Sequence, residues 1–461
     1  MALDFLVRVF EENRDQDAII WHDHVYTYEW LLNRFFHWME VIRSQDLQPG
    51  AITIMEADFS PNSIALFLAL VAHGCILVPL TSVVDSQKPE FIEIAQGEVY
   101  FKIADDDTVS ITMLPHTAHH ELYQKLREFN HPGLILFSSG STGKSKAAVH
   151  DLVGILDKFR IRRHKFRTIF FLLYDHIGGV NTMLYTLANA GCGIIMPDRS
   201  PDNVLRTIEK HRIELLPTTP TFMNLVLLSE AYQRYNLDSL KLITYGTEPM
   251  PESTLKRFHE ILPQVQLLQT YGLSEVGILS SKSRSSDSLW VKIGGEGFAT
   301  RVVDGILHIK ARSAMLGYLN APSPFTADGW FDTGDCVEVD GEYIRILGRE
   351  SEIINVGGEK VYPIEVESII QKLDNVSEVT VYGESNSILG NIVCARVSLV
   401  NDEDPKKFAL KLKQYCREKL QSYKVPIKIL VAQEKQHSDR FKKRRVINPG
   451  NPVSKPALKE P

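Results

Sequence analysis

Apolar residues recur with two different periods along the first three quarters of the chain. In Tyr28–Ile42, Asn62–Ala72, Asn181–Asn189 and Asp202–His211 they fall three or four positions apart, the spacing of a helix with one buried face. Between these segments lie short apolar runs: Ala51–Glu56, Ile76–Pro79, Thr168–Leu173, Gly193–Met196, Glu214–Pro217 and Leu242–Tyr245. Each reads as a buried strand. Strand–helix–strand alternation predicts an α/β fold with largely parallel sheets. The longest apolar stretch, Ile64–Leu80, is broken by His73, Gly74 and Pro79, so it reads as a buried helix and strand and not as a membrane span.

From Gly294 to Ile346 the helical period disappears. Short strands around the turns Val303-Asp-Gly305 and Asp340-Gly-Glu342 predict a small antiparallel or barrel-like β subdomain. A second unit follows Gly348-Arg349. Its helices are expected at Ile364–Lys372 and Pro405–Leu420, and its strands at Val376–Tyr382 and Ile392–Leu399, a small α+β domain. The stretch 448–461 carries Pro449, Pro452, Pro456 and Pro461 and is expected to be a disordered tail. The expected organisation is a large domain over 1–348, a small domain over 349–447, and the tail.

A chain of 461 residues is too long for one hydrophobic core, which agrees with several domains. The net charge of −6 argues against nucleic acid as a partner. Cys75, Cys192, Cys336, Cys394 and Cys416 are scattered, odd in number and without metal-ligand spacing, as expected of reduced thiols in the cytoplasm. Asp4 and Glu11 speak against a signal peptide. No membrane insertion is expected.

Chemistry concentrates first at Leu134-Ile-Leu-Phe-Ser-Ser-Gly-Ser-Thr-Gly-Lys-Ser-Lys146. The apolar run ends in Ser138, Ser139, Gly140, Ser141, Thr142, Gly143 and Lys144. Backbone N–H groups, hydroxyls and one cation in a small concavity suit phosphate oxygens. A Walker loop would need glycine where Ser138 stands. Ala147–Asp151 looks like a second strand and not a helix, so a hairpin is expected. An ordinary Ser/Gly turn is the bland alternative.

Further motifs follow in a fixed order: Tyr174-Asp-His-Ile-Gly-Gly179, Ile243-Thr-Tyr-Gly-Thr-Glu248, Gln269-Thr-Tyr-Gly-Leu-Ser-Glu275, Gly329-Trp-Phe-Asp-Thr-Gly-Asp335 and Gly348-Arg-Glu-Ser-Glu-Ile-Ile-Asn-Val-Gly-Gly358. Together they resemble the adenylate-forming superfamily: acyl-CoA ligases, adenylation domains and luciferases. The likeness runs from about Leu31 to Arg445.

The resemblance implies a carboxylate that attacks the α-phosphorus of ATP, giving an acyl-adenylate and pyrophosphate. It implies a phosphate loop at Ser138–Lys144, with Ser141, Thr142 and Lys144 foremost, and Glu275 as the carboxylate on Mg²⁺. Gly246, Thr247, Glu248, Gln269, Thr270, Tyr271 and Gly272 fall along the nucleotide. Asp335 and Arg349 fall at the ribose, and a hinge lies near 349–352. Asp175, His176, Val180, Tyr245 and Leu273 fall at the acyl pocket, with His176 at its gate. Gly357 and Gly358 fall at a thiol channel. The acceptor is then CoA, with carrier-protein phosphopantetheine or an amine as alternatives, and the acid is expected to be other than an amino acid.

One departure stands out. The family's C-terminal lysine loop here reads His437-Ser-Asp-Arg-Phe-Lys-Lys-Arg-Arg445. Arg440 stands where the lysine belongs, or a shifted loop would offer Lys442 or Lys443. A non-catalytic nucleotide-binding homologue is the reading that follows if none of them serves.

Overall fold

The computed structural model describes residues 2–139, 145–432 and 434–444. The chain divides into two compact units, Met1–Ile346 and Leu347–Pro461. The expected tail, 448–461, lies outside the described residues.

Three sheets carry most of the first unit. One has seven strands in the order Gln266–Gln269, Leu242–Tyr245, Leu215–Thr218, Arg167–Ile169, Cys192–Ile195, Asp17–Trp21 and His24–Thr27. All its pairings are parallel except the last, an antiparallel hairpin at the edge. Another runs Gly317–Tyr318, Ser145–Asp151, Gly133–Ser139, Ile76–Leu80, Ile52–Glu56, Val99–Ile103 and Val109–Met113. Its centre is parallel and its edges antiparallel.

Helices Tyr28–Ser44, Pro61–His73 and Ile177–Ala188 supply Leu31, Phe35, Phe67 and Leu184 to a core that also takes Ile19 from the first sheet and Leu77 and Leu134 from the second. Local chemistry sets their ends. Thr27 accepts a hydrogen bond from the Trp30 N–H, and Ser60, just before Pro61, forms a reciprocal capping box with Ser63. Gly74 closes Pro61–His73 in the left-handed conformation.

Two elements differ from the sequence pattern. The strand expected over Thr168–Leu173 spans only Arg167–Ile169, and the helix expected at Asn181 begins at Ile177. Gly178-Gly179 reads as a helix breaker, yet here it lies in the first turn. A Cβ at Gly179 would stand 1.9 Å from the Leu173 carbonyl oxygen, so the helix start packs on backbone that only glycine can approach.

The third sheet runs Ser280–Ser283, Val291–Gly294, Tyr343–Arg349, Phe331–Asp340, Ile306–Ala311 and Phe298–Val303. It is antiparallel, as expected, but open and not a barrel. Its outer strand Phe298–Val303 is exposed along nearly its whole length.

The second unit is α+β. Glu359–Val361, Ile354–Val356, Gly390–Leu399 and Val376–Asn386 are neighbours in one sheet, and Lys428–Val431 joins Gly390–Leu399 in parallel. Helices Pro363–Ile370 and Pro405–Lys419 cover it, with Val366, Ile370, Phe408 and Leu412 meeting Val379, Val381 and Ala395. All five cysteines are buried, and none is in a disulfide. No helix among the described residues is long and apolar enough to cross a membrane.

Candidate active site

The Ser/Gly-rich segment forms a hairpin. Gly133–Ser139 pairs antiparallel with Ser145–Asp151, with Ser138 opposite Lys146 and Ser139 opposite Ser145. Gly140, Ser141, Thr142, Gly143 and Lys144 lie outside the described residues. What is visible is how the hairpin is anchored. Gly317 and Tyr318 pair with Val149 and Ala148. Two residues on, Asn320 Nδ2 donates to the Ser145 carbonyl at 2.8 Å, and its Oδ1 accepts the Ala147 N–H at 3.0 Å. The segment Gly317–Asn320 therefore clamps the arm at the point where the loop ends.

The same segment holds Glu275, which sits in a tight turn between the short strands Gly272–Leu273 and Gly277–Ile278. A Cβ at Gly272 would stand 2.7 Å from the Gly277 carbonyl oxygen, so this close hairpin demands glycine. The Tyr318 hydroxyl donates to Glu275 Oε1 at 2.6 Å, and the Met315 N–H donates to the Glu275 carbonyl at 2.8 Å. The ammonium of Lys146 lies 5.3 Å from the centre of the Tyr318 ring. A half-buried carboxylate is thus fixed beside the root of the hairpin. Tyr318 and Asn320 escape the sequence reading. Their only signal is the short run Gly317-Tyr-Leu-Asn320, whose partners lie far away in the chain.

His150 is fully buried on the clamped arm. Burial holds its imidazole down to about 4, against a smaller raising influence of the backbone at Ser274 and Ser313. The ring is therefore neutral at physiological pH.

Asp335 is buried on Phe331–Asp340, and its Oδ2 accepts the Tyr271 hydroxyl at 2.5 Å. This joins two residues 64 apart that the sequence reading assigned to one ligand. Thr270 donates to the Tyr245 carbonyl from both its N–H (2.8 Å) and its hydroxyl (3.1 Å), so the two motif segments are tied at the strand ends. Thr247 has φ +73°, costly for a β-branched residue. Glu248 Oε1 accepts the Thr221 N–H at 2.7 Å.

His176 caps helix Ile177–Ala188, its Nδ1 accepting the Gly178 N–H at 3.1 Å. Asp175 is buried and accepts the Thr81 hydroxyl at 2.6 Å. Val180 is fully buried in the apolar core, and Leu273 is half-buried beside the Glu275 turn.

In the second unit Arg349 is exposed at the end of Tyr343–Arg349. Gly357 and Gly358, which the resemblance sets at a thiol channel, have φ +57° and +92° and form the two-residue turn between Ile354–Val356 and Glu359–Val361. The nearest atom to a Cβ at Gly357 would be Leu389 Cδ2 at 3.7 Å, and nothing lies within 4 Å at Gly358. The positive φ values of this tight turn favour glycine.

The C-terminal basic cluster is a small hairpin in which His437 pairs with Lys443. Arg440 lies in its turn, and Phe441 adopts φ +54° and stacks on His437. His437 Nδ1 lies 2.5 Å from Glu378 Oε1. Lys443 Nζ donates to Glu367 Oε2 at 2.8 Å, while Glu367 Oε1 accepts the Val381 N–H. Lys443 therefore holds the hairpin to helix Pro363–Ile370.

Residues 6–318 match the family of AMP-binding enzymes, and residues 365–442 match the AMP-binding enzyme C-terminal domain. Indoleacetate–CoA ligase of Aromatoleum aromaticum is 29% identical over 58% of this chain, and the match covers 57% of that protein, less than two thirds of its length. 2-Succinylbenzoate–CoA ligase of Enterococcus faecalis is 23% identical over 93% of this chain and 94% of its own. The crystal structure of the anthranilate CoA ligase AuaEII with anthranoyl-AMP superposes with a TM-score of 0.81 at 19% identity, covering 96% of this chain and 95% of that one, a likeness of fold.

Proposed function

The chain belongs to the family of AMP-binding enzymes, and on that premise we propose that it activates a carboxylic acid with ATP as an acyl-adenylate and passes the acyl group to CoA. The observation that carries this reading is the junction of Glu275, Tyr318 and the Ser139/Ser145 hairpin. It presents a fixed carboxylate beside the root of a hairpin whose connecting sequence suits phosphates.

Glu275 fits a magnesium-nucleotide complex. Among the described residues no three His, Cys, Asp or Glu side chains form a metal cage. A single oriented carboxylate is the protein ligand that Mg²⁺ on a nucleotide needs, because phosphate oxygens and water complete its shell. When bound, the ion supplies charge neutralisation on the phosphates. The remaining work is done by the chain. Ser141, Thr142 and Lys144 hold the outer phosphates. Asp335, oriented by Tyr271, accepts hydrogen bonds from the ribose hydroxyls, which an anionic acceptor pair does well. Thr247 and Glu248 line the base. Nucleotidyl transfer depends on alignment and electrostatics, so rigid placement of these groups is the catalytic contribution.

His176 keeps a fixed ring orientation through its cap and stands at the entrance for the acid. Asp175 is buried and accepts the Thr81 hydroxyl; the spacing Asp175-His-Ile-Gly-Gly179, which matches the acyl-ligase register, favours an acid other than an α-amino acid. Arg440 and Lys442 are the cations proposed to act from the C-terminal hairpin, and Lys443 is bonded to Glu367. Gly357 and Gly358 are proposed to border the thiol path. The buried cysteines, none in a disulfide, support a cytoplasmic setting.

The test is pyrophosphate release from Mg·ATP with aryl, fatty and amino acids, followed by CoA. Release with one acid class, and a CoA-dependent rise with AMP formation, is the expected result. Release indifferent to CoA would move the acceptor to a carrier-protein thiol or an amine. ATP binding with no release from any acid would overturn the reading in favour of a non-catalytic homologue.

A further inference from the structure

Three polar side chains lie in one row at the carboxyl ends of neighbouring parallel strands. Thr218, Tyr245 and Gln269 end Leu215–Thr218, Leu242–Tyr245 and Gln266–Gln269, and the register sets Thr218 beside Tyr245 and Tyr245 beside Gln269. Side chains level with one another in a sheet share a face. Two residues back on that face stand Leu216, Ile243 and Leu267, all buried and apolar. Immediately after the row come Gly246–Glu248 and Thr270–Gly272, the segments proposed to follow the nucleotide.

The three are 2%, 1% and 5% exposed, yet Thr218 Oγ1, Tyr245 Oη and Gln269 Oε1 have no hydrogen-bond partner among the described residues. A buried polar atom left unpaired costs about 1–3 kcal/mol. A fold that sets three in line has a use for them, because such atoms are rarely left without partners. Their place matters as well. In open α/β sheets the crevice beyond the carboxyl ends of the strands is where ligands sit.

The row also has a definite chemistry. It contains no charge, so it suits a neutral group. An amide oxygen such as Gln269 Oε1 only accepts, whereas the two hydroxyls can donate or accept. The missing partner must therefore bring a hydrogen.

Resting on the acid-activating reading above, we infer that the acid carries a neutral hydrogen-bond donor, a hydroxyl or N–H group, on its acyl part away from the carboxylate. The row Thr218–Tyr245–Gln269 receives that group. A second carboxylate in its place would meet the Gln269 oxygen and be refused.

The test uses matched acids: benzoate against its hydroxy- and amino-derivatives, and octanoate against 8-hydroxyoctanoate and the corresponding diacid. Pyrophosphate release gives kcat/KM for the natural chain, Tyr245→Phe and Thr218→Val. The natural chain is expected to prefer a donor-bearing member of at least one pair by about 100-fold, since a site built to bond a polar group rejects the analogue lacking it. Tyr245→Phe is expected to reduce that ratio to within about threefold. Equal or better use of every plain acid, preference for the diacid, or equal losses on both members of the pair in the variants, would overturn the inference.

Silence with every acid would sink the acid-activating reading instead, and a second measurement then judges the row alone. Thermal unfolding of the free protein should give Tyr245→Phe a Tm equal to or above that of the natural chain. A fall of more than about 4 °C would mean the hydroxyl is already bonded within the fold.

Discussion

Glu275 and Glu367 are both held by a side chain distant in sequence, yet the roles we propose for them are opposite. Glu275, half-buried in the first unit, is oriented by a neutral hydroxyl, Tyr318. Glu367, 1% exposed in the second unit, is paired with the ammonium of Lys443 and with the Val381 N–H. A hydroxyl fixes direction while leaving the negative charge to act on something else. A cation cancels the charge and turns the pair into a fastening. Other contacts also tie the second unit together: Glu365 pairs with the Lys424 ammonium, and Glu378 is hydrogen-bonded to the His437 ring. The difference teaches how to separate carboxylates kept for a ligand from carboxylates kept for the fold.

The largest expected effect comes from cutting the fastening. Lys443→Met leaves Glu367 buried beside an apolar group and should destabilise the second unit by about 3–5 kcal/mol. Urea unfolding with a probe in that unit measures it, and an unchanged midpoint would place Glu367 with Glu275.

Acid should part the two units next. His150 has a folded pKa of about 4 against an ordinary 6.5, so the unfolded chain binds the extra proton between those values. Stability of the first unit is therefore complete above pH 6.5 and falls as pH drops to 4, by on the order of 3 kcal/mol. Burial works to raise Glu378, but hydrogen bonds from His437 and the Gln436 N–H hold it below its ordinary 4.5. Its contribution is present above 4.5 and is lost only below it. Unfolding followed unit by unit at pH 7, 5.5 and 4.5 should show the first unit weakening before the second. Replacing His150 by an apolar residue of similar size should flatten that slope.

Glu275→Gln should lower kcat/KM for pyrophosphate release by about 100-fold while costing less than about 1 kcal/mol of stability. If folding suffers as much as activity, the carboxylate is a fastening after all. Tyr318→Phe, which removes only the orienting hydroxyl, should cost about tenfold in the same assay, and excess Mg²⁺ should recover part of it. A loss as large as that of Glu275→Gln would mean that Tyr318 itself touches the ligand.

Much of this was legible along the chain. The alternation of strand and helix, the antiparallel β subdomain, though not whether it closes, and the α+β unit after Gly348 follow from apolar periods, because a local pattern decides which face a segment must bury. The hairpin at Ser138–Lys146 was readable from the strand character of Ala147–Asp151. The start of helix Ile177–Ala188 was not, because Gly178-Gly179 signals a break locally and is required by packing on Leu173. Gly357-Gly358 was visible as a special place, while the two-residue turn with positive φ that it forms appears only in the fold.

The sequence by itself determined the kinds of elements, their order and the motif residues, since these depend on contacts within a few residues. The tertiary structure alone decided which tyrosine orients Glu275, which glutamate engages Lys443, and that Thr218, Tyr245 and Gln269 stand level. Those facts depend on the register of strands and on the partner each buried polar group finds. Both are settled only when segments far apart in the chain come together.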